Sequence, residues 1–294
     1  MTVMNRRNTG FVASVLLVVC AALTSTFASG QARPERIVSV VPALTETLFA
    51  IGAGDDVVGV GTFDTHPPEV ATRPRVGGLL DLDMEQIFAL RPDLVLFHGS
   101  QQDQIEQVTR AGIDAFTYVH GGVDDTLAVI RRLGARTDRE ANAERLATNI
   151  EDHLAALRNR LAGRNRPQVL LVFGREPGSL RNVYASGGTG FLHDMLEAAG
   201  GENVFAELPR ESLPLTSEAI LRAAPDVIVE LTYDERMTTQ TQVAEIAVWD
   251  RLSAVPAVRN RRVHLLLGNQ FVQPGPRMGD ATEAIARALH PDAF

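Results

Sequence analysis

The chain is written in short apolar runs separated by amphipathic stretches. Strands are predicted at residues 37–41, 57–60, 94–97 and 115–119, and again at 169–173, 227–231 and 263–267. Strand-length apolar runs that alternate with helix-period segments are the signature of βα units and parallel sheets. Between Gly134 and Gly163 there is neither proline nor glycine, and Leu146, Ile150, Leu154, Leu157 and Leu161 recur every three or four residues. That spacing predicts one helix over 138–162, roughly 37 Å long at 1.5 Å per residue. Such a helix is long for a crossover within one sheet and suits a strut between two lobes. The expected fold class is therefore α/β: two Rossmann-like lobes with parallel sheets joined by one long backbone helix. The division this implies is a leader at 1–28, an N-terminal α/β lobe at 34–137, a connecting backbone helix at 138–163 and a C-terminal α/β lobe at 164–294.

An internal echo supports two lobes of common design. Glu85-Gln86-Ile87-Phe88-Ala89-Leu90-Arg91-Pro92-Asp93-Leu94-Val95 is matched by Glu218-Ala219-Ile220-Leu221-Arg222-Ala223-Ala224-Pro225-Asp226-Val227-Ile228. In each, an acidic helix start leads through Pro-Asp into an apolar strand. A second echo pairs Leu48-Phe49-Ala50-Ile51-Gly52 with Leu196-Glu197-Ala198-Ala199-Gly200, two helices closed by glycine.

The first residues read as an address. Arg6 and Arg7 precede an apolar stretch from Phe11 to Leu23, and Thr26-Phe27-Ala28 supplies small residues for cleavage. The stretch is short for a membrane span, which needs about 20 residues. Export as a soluble periplasmic protein is expected. The competing start is a lipid anchor at Cys20, although bulky Val19 replaces the small residue that a lipidation box places before its cysteine.

Composition narrows the chemistry. With 294 residues and 45% apolar content the chain is long enough for two cores, and its net charge of −8 argues against nucleic acid as a partner. All 28 basic residues are arginine. Schiff-base chemistry, a lysine base and a Walker A loop are thereby excluded. Cys20 is the one cysteine and falls in the leader, so a thiol nucleophile is excluded from the processed chain. No Gly-x-Ser-x-Gly, His-Glu-x-x-His or strand-linked Gly-x-Gly-x-x-Gly is present, and no catalytic residue is assigned.

Ligands of parallel sheets bind beyond the carboxyl ends of the strands. In the first half those ends carry Pro42 and Thr45, then His66, His98 and His120; in the second they carry Arg175 and Glu176, Glu230 and Tyr233, and Asn269 and Gln270. Three of the seven histidines thus fall on one edge, where neutral imidazoles suit a transition metal or the face of a metal chelate. Polar loop histidines would occupy the same places. Arg175 offers a guanidinium fork for a ligand carboxylate, with an Arg–Glu turn pair as its structural counterpart. Ser186-Gly187-Gly188-Thr189-Gly190 lacks the lysine of a phosphate loop and reads as the entry to a helix near Phe191. Glu85 and Glu218 occupy equivalent first-turn positions. Acids there are favoured by the helix dipole, and one exposed carboxylate per lobe also suits a two-fold basic partner.

Several segments resemble the iron-siderophore/cobalamin periplasmic-binding family, the helical-backbone substrate-binding proteins of ABC importers. They run from Arg36 to Glu46, Gly52 to Val60, Pro67-Pro68-Glu69, Val76-Gly77-Gly78, Glu85 to Leu96, Ala199 to Phe205, and Trp249 through Val255 to Asn260. The resemblance implies a ligand held between two lobes, delivery to the permease of an ABC importer, and one acid per lobe engaging arginines on the permease's periplasmic face. Glu85 and Glu218 match those acids. It implies a monomer without a catalytic cofactor, whose cargo is a metal chelate: cobalamin, a ferric siderophore or haem. His66 stands where cobalamin-binding relatives carry an aromatic, and Phe63, Tyr184 and Tyr233 are the ring candidates for covering a chelate face, with Phe97, Tyr118 and Phe271 behind them. Two alternatives stay open: a bare transition metal on His66, His98 and His120, and a periplasmic metal-dependent enzyme using those histidines with Glu176 or Glu230 as base.

Overall fold

The computed structural model describes Met1 and residues 33–294; the expected leader, with Cys20, lies outside the described residues. In the N-terminal half β1 (Ile37–Ser39), β2 (Val57–Val60), β3 (Leu94–His98) and β4 (Asp114–Tyr118) form a parallel sheet in the order β2-β1-β3-β4. β1 and β3 are buried along almost their whole length and, before Ser39 and His98 at their carboxyl ends, are built of Ile, Val, Leu and Phe, as strands covered on both faces require. The chain returns through α1 (Pro42–Ala50), α2 (Met84–Ala89), α3 (Gln102–Arg110) and α4 (Val123–Arg136). Asp138, with φ 57°, turns α4 into α5 (Glu140–Leu161), an unbroken helix of 22 residues. Its buried positions are Ala143, Ala147, Ile150, Leu154, Leu157 and Leu161, a single stripe stepped by four and three. Each of its buried leucines contributes about 1.5–3 kcal/mol.

The C-terminal half contains β5 (Gln168–Gly174), β6 (Val183–Ser186), β7 (Glu202–Asn203), β8 (Ser212–Leu215), β9 (Val227–Thr232) and β10 (Val263–Leu267). The order is β10-β9-β5-β6-β8, with β7 on the side of β5. β10, β9, β5 and β7 run parallel, but β6 is antiparallel to both β5 and β8. The expectation of two parallel sheets is corrected here: the second sheet is mixed. Only residues 175–182 join β5 to β6, too few for a crossover helix, so the chain makes a tight return in which Glu176 N–H donates to Arg181 O. The longer helices of this half are α6 (Phe191–Ala198), α7 (Ser217–Ala223), α8 (Thr239–Ala247) and α9 (Met278–Leu289), with one further helical turn at Pro256–Arg259. α5 packs on α4, α6 and α9, and Pro34–Phe294 is one compact unit in its contacts.

The sequence echo is a structural repeat. α2 and α7 are each followed by a residue in the left-handed conformation, Arg91 (φ 48°) and Ala224 (φ 46°), directly before Pro-Asp. The aspartate then ties down the neighbouring strand. Asp93 carboxylate accepts from Glu35 N–H at 2.8 Å and Arg36 N–H at 3.1 Å, and Asp226 carboxylate accepts from Gln168 N–H at 3.1 Å. In each half the Asp backbone amide also donates back, to Arg36 O and Gln168 O. The same five-part unit therefore sets the register of β3 on β1 and of β9 on β5.

Candidate ligand-binding cleft

Beyond the carboxyl ends of both sheets lie three adjoining hollows. The largest, about 670 Å³, is walled by Thr65, Phe173, Arg175, Thr232, Tyr233 and Glu235 among others. A second, about 200 Å³, is lined by Pro42, Phe63, Asp64, His98, His120 and Val272, and a third, about 230 Å³, by His120, Phe173, Phe191, Glu211 and Val272. Phe173, His120 and Val272 are shared between them, which makes one continuous cleft. Its position follows from the parallel strands, all of which deliver their carboxyl ends to the same edge.

The histidines form the most ordered part. Strand register sets His98 beside Tyr118, and His120 follows two residues later. The His98 and His120 ring centroids are 5.2 Å apart, with Phe191 stacked on His120 at 6.2 Å. Each imidazole is anchored by its own loop. His98 Nδ1 lies 2.8 Å from Ser100 Oγ and accepts the Ser100 N–H at 3.2 Å, while His120 Nδ1 lies 3.2 Å from the Tyr118 hydroxyl. With Nδ1 accepting the Ser100 N–H, the His98 ring carries a proton on Nε2. Partial burial, with the charge of His98 behind it, lowers the pKa of His120, so that ring is neutral near pH 7. Burial, together with Glu211 and Asp125, pushes the Tyr118 phenol up and keeps it protonated. Gln101 braces the group, accepting His98 N–H at 2.9 Å and donating to Leu79 O at 3.1 Å.

The other expected residues divide. Pro42, Phe63 (68% exposed) and Tyr233 (74% exposed) line the cleft. Thr45 does not reach it: fully buried, its hydroxyl is bound to Ser39 Oγ at 2.8 Å. Tyr184 lies on β6 outside the three hollows, and Gln270 accepts from Arg277 Nη1 at 3.2 Å. Arg175 lies in the cleft wall with only 2% of its side chain exposed, and its guanidinium faces the protein's own acids. Nε sits 2.9 Å from Glu230 Oε1, an ion pair whose angle falls outside a hydrogen bond, and Nη2 sits 2.8 Å from Glu245 Oε2. Nη1 donates to the carbonyls of Glu176 and Ser179. Glu230 Oε2 also accepts from Trp249 Nε1 at 2.9 Å. The glycines before α6 answer to crowding: a Cβ on Gly188 would meet Ala206 O at 1.9 Å.

The two alternatives lose their geometry. His66 does not line the hollows that hold His98 and His120, and among the described residues no group of three or more His, Cys, Asp or Glu is placed to hold a metal ion. A three-histidine metal centre is therefore corrected to a two-histidine wall. The candidate bases are also engaged, Glu230 by Arg175 and Trp249, and Glu176 by Asn182 Nδ2 at 2.8 Å and Arg181 Nη2 at 2.7 Å.

Sequence reasoning names Asn269 but misses the polar brace beside the cleft to which it belongs. Arg277 binds Glu46, donating from Nε to Oε2 at 2.9 Å, and its Nη2 donates to Asn269 Oδ1 at 2.6 Å. Asn269 Nδ2 in turn donates to Thr65 Oγ1 at 2.9 Å, tying the loop after β2 to the segment after β10. Beside Thr65, Asp64 is 1% exposed and neither of its carboxylate oxygens has a hydrogen-bond partner. The strand-end rule applied to β2 points at residues 61–65, and that is the signal by which Asp64 and Thr65 could be found.

Away from the cleft, Glu85 and Glu218 are exposed and occupy the second position of α2 and α7. Both helices are capped alike, Asp83 accepting from Gln86 N–H and Thr216 from Ala219 N–H. The backbone amide of Glu218 and the Thr216 hydroxyl hold the Glu218 carboxyl below its ordinary pKa. No helix among the described residues is long and apolar enough to cross a membrane.

Two α/β halves with a shared cleft at their strand ends define a ligand-binding protein. The family described as periplasmic binding protein matches residues 37–268, and the chain belongs to it. It is 31% identical over 256 residues to the vitamin B12-binding protein of Salmonella typhimurium, covering 86% of this chain and 90% of that one. It is 29% identical over 266 residues to the uncharacterized ABC transporter substrate-binding lipoprotein YvrC of Bacillus subtilis, covering 89% and 82%. Among solved structures, the periplasmic heme-binding protein RhuT from Roseiflexus sp. RS-1 in apo form is similar at 29% identity and a TM-score of 0.73, covering 88% of this chain and 99% of that one. Members of this family are binding proteins.

Proposed function

We propose that this protein captures a metal chelate in its cleft and delivers it to the permease of an ABC importer, without covalent chemistry. The observation that carries the reading is the continuous cleft itself. Phe63, Phe173, Phe191 and Tyr233 supply ring surface for a large flat or rounded ligand, while His98 and His120 present imidazoles to it. The named ligands of its relatives, vitamin B12 and heme, agree with that chemistry. In this reading lobes 34–137 and 164–294 close on the ligand from either side, and the protein works as a monomer in the periplasm after cleavage of a leader at 1–28. Glu85 and Glu218, one on each half, meet arginines of the permease.

The test is a thermal-shift panel of cyanocobalamin, haemin, ferric siderophores and bare divalent ions. A ligand at 100 times its Kd stabilises the fold by about 2.7 kcal/mol, several degrees for a chain of this size. A shift with a chelate and none with bare ions is expected; a shift with bare ions alone overturns the proposal. The lipoprotein name of the B. subtilis relative favours a second reading of the start, an anchor at Cys20. The mass of the processed N-terminus decides between them: a chain beginning at Ser29 fits the soluble form.

A further inference from the structure

The sequence echo continues into the pattern of exposure. Residues 83–93 and 216–226 pass between exposed, half-buried and buried in the same order at every position. Ile87 and Ile220 are fully buried, as the core requires. Phe88 and Leu221, one residue on, are 36% and 42% exposed and belong to neither core cluster. A single apolar side chain on a surface needs no explanation. One that stands at the same place in both halves, outside both cores, does.

Each of these side chains lies three residues after an exposed acid, Glu85 or Glu218, and residues three apart are neighbours on a helix face. Both helices start at the sheet edge that bears the cleft. Asp83 N–H, at the start of α2, donates to Val76 O, and Val76 N–H donates to Val60 O at the carboxyl end of β2. β8, which leads into α7, is antiparallel to β6 and therefore runs with β5, ending at the carboxyl edge of the C-terminal sheet. Each half thus presents a carboxylate with an apolar side chain one turn on. Neither Phe88 nor Leu221 lines a hollow of the cleft, so the ligand makes no use of them.

Charge alone is a weak hold at these points. Exposed ion pairs contribute little affinity and mainly steer association. Arg91 and Arg222 are exposed close by in the two halves and dilute the field of each acid. An apolar side chain that is covered on docking supplies affinity that neither salt nor a nearby cation screens.

Resting on the delivery reading above, we propose that Phe88 and Leu221 are the apolar members of two matched docking points. Their occupant is the periplasmic face of the permease, which offers an apolar seat beside each of two symmetry-related basic groups. The matched pair suits a two-fold partner, the acids suit its arginines, and the cleft edge is where a ligand must leave.

The experiment measures uptake of cyanocobalamin, haemin and ferrioxamine B by cells in which this protein alone feeds the importer. Wild type is compared with Phe88→Ser combined with Leu221→Ser, with Phe88→Leu, and with Glu85→Arg combined with Glu218→Arg. The double serine variant is expected to melt within about 2 °C of wild type and to bind the transported probe with unchanged Kd. Its uptake is expected to fall roughly tenfold or more, the value of covering one such side chain. Phe88→Leu copies the C-terminal point and should keep uptake near wild type. Normal uptake by the folded serine variant, while the charge reversal slows it, overturns this inference alone. So does a weakened Kd in that variant, which ties the side chains to the ligand, or a wild-type dimer that the variant dissolves, which makes a second copy the occupant. Normal uptake by both double variants overturns the docking reading and this inference with it. Uptake of none of the probes by wild type overturns the delivery of these chelates, and the inference falls with that reading.

Discussion

The two halves are built from the same helix, left-handed turn, Pro-Asp and strand, yet their cleft walls handle a buried charge in opposite ways. In the C-terminal wall Arg175 lies between Glu230 and Glu245, with Trp249 donating to Glu230, and every charge has a partner. In the N-terminal wall Asp64 is buried with neither carboxylate oxygen in a well-formed hydrogen bond, and Thr45 and the Gly61 amide offset its burial only in part. A satisfied network rigidifies a wall, and an unsatisfied group is retained at a cost to the fold. The difference marks the C-terminal network as framework and Asp64 as a buried acid that the fold keeps at a cost.

The largest effect is expected from breaking the satisfied wall. Arg175→Met leaves Glu230 and Glu245 buried without their cation, and removing one member of a buried ion pair costs about 3–5 kcal/mol. At about 2–4 °C per kcal/mol, the melting temperature at pH 7.5 should fall by on the order of 10 °C. A variant that melts like wild type but loses ligand would show that the guanidinium serves the ligand and not the wall, and the contrast between the halves would collapse.

Asp64→Asn should act with the opposite sign. Its folded pKa of about 6 lies above the ordinary value of 3.8, because burial disfavours the anion. The folded state therefore holds the proton more tightly, and stability falls as pH rises from about 4 to 6. Above that window the full penalty applies, about 3 kcal/mol at 1.36 kcal/mol per pH unit. Asn carries no charge and escapes it. The variant should melt several degrees above wild type at pH 8 and converge with it near pH 4. A constant offset across that range would mean that packing, not ionisation, separates the two proteins.

These walls differ in how far the sequence reveals them. Apart from β7, the parallel strands are readable because each is a mainly apolar run between helix-period segments, and the echo at Glu85 and Glu218 carries the repeat in its residue order alone. β6, β7 and β8 are not readable, since the strands are two to four residues long and β8 carries Pro214. His98 and His120 follow from the strand-end rule, but their pairing needs the register of β3 on β4. Arg175 is legible as a residue and not as a role. Its partners Glu230 and Glu245 are 55 and 70 positions away in the chain, a closure only the tertiary fold sets. Asp64 escapes notice because an Asp in a loop is ordinarily solvated, and nothing local says that Thr65 is tied down to Asn269 above it.

The smallest effect on the fold, and the sharpest on function, is expected where the halves agree. Glu85 and Glu218 are exposed and follow capping residues that satisfy the helix starts without them. Reversing both, Glu85→Arg with Glu218→Arg, should shift the melting temperature by only about 2 °C or less, as expected of surface substitutions, and leave chelate binding unchanged. If these carboxylates meet permease arginines, the same double variant places like charges opposite one another at two points of one interface, and uptake in cells that depend on this protein should fall at least tenfold. Each single reversal should fall between wild type and the double, because the repeat presents one contact per half. A double variant with normal uptake would reduce both acids to helix-start residues and leave the repeated unit with a folding role alone.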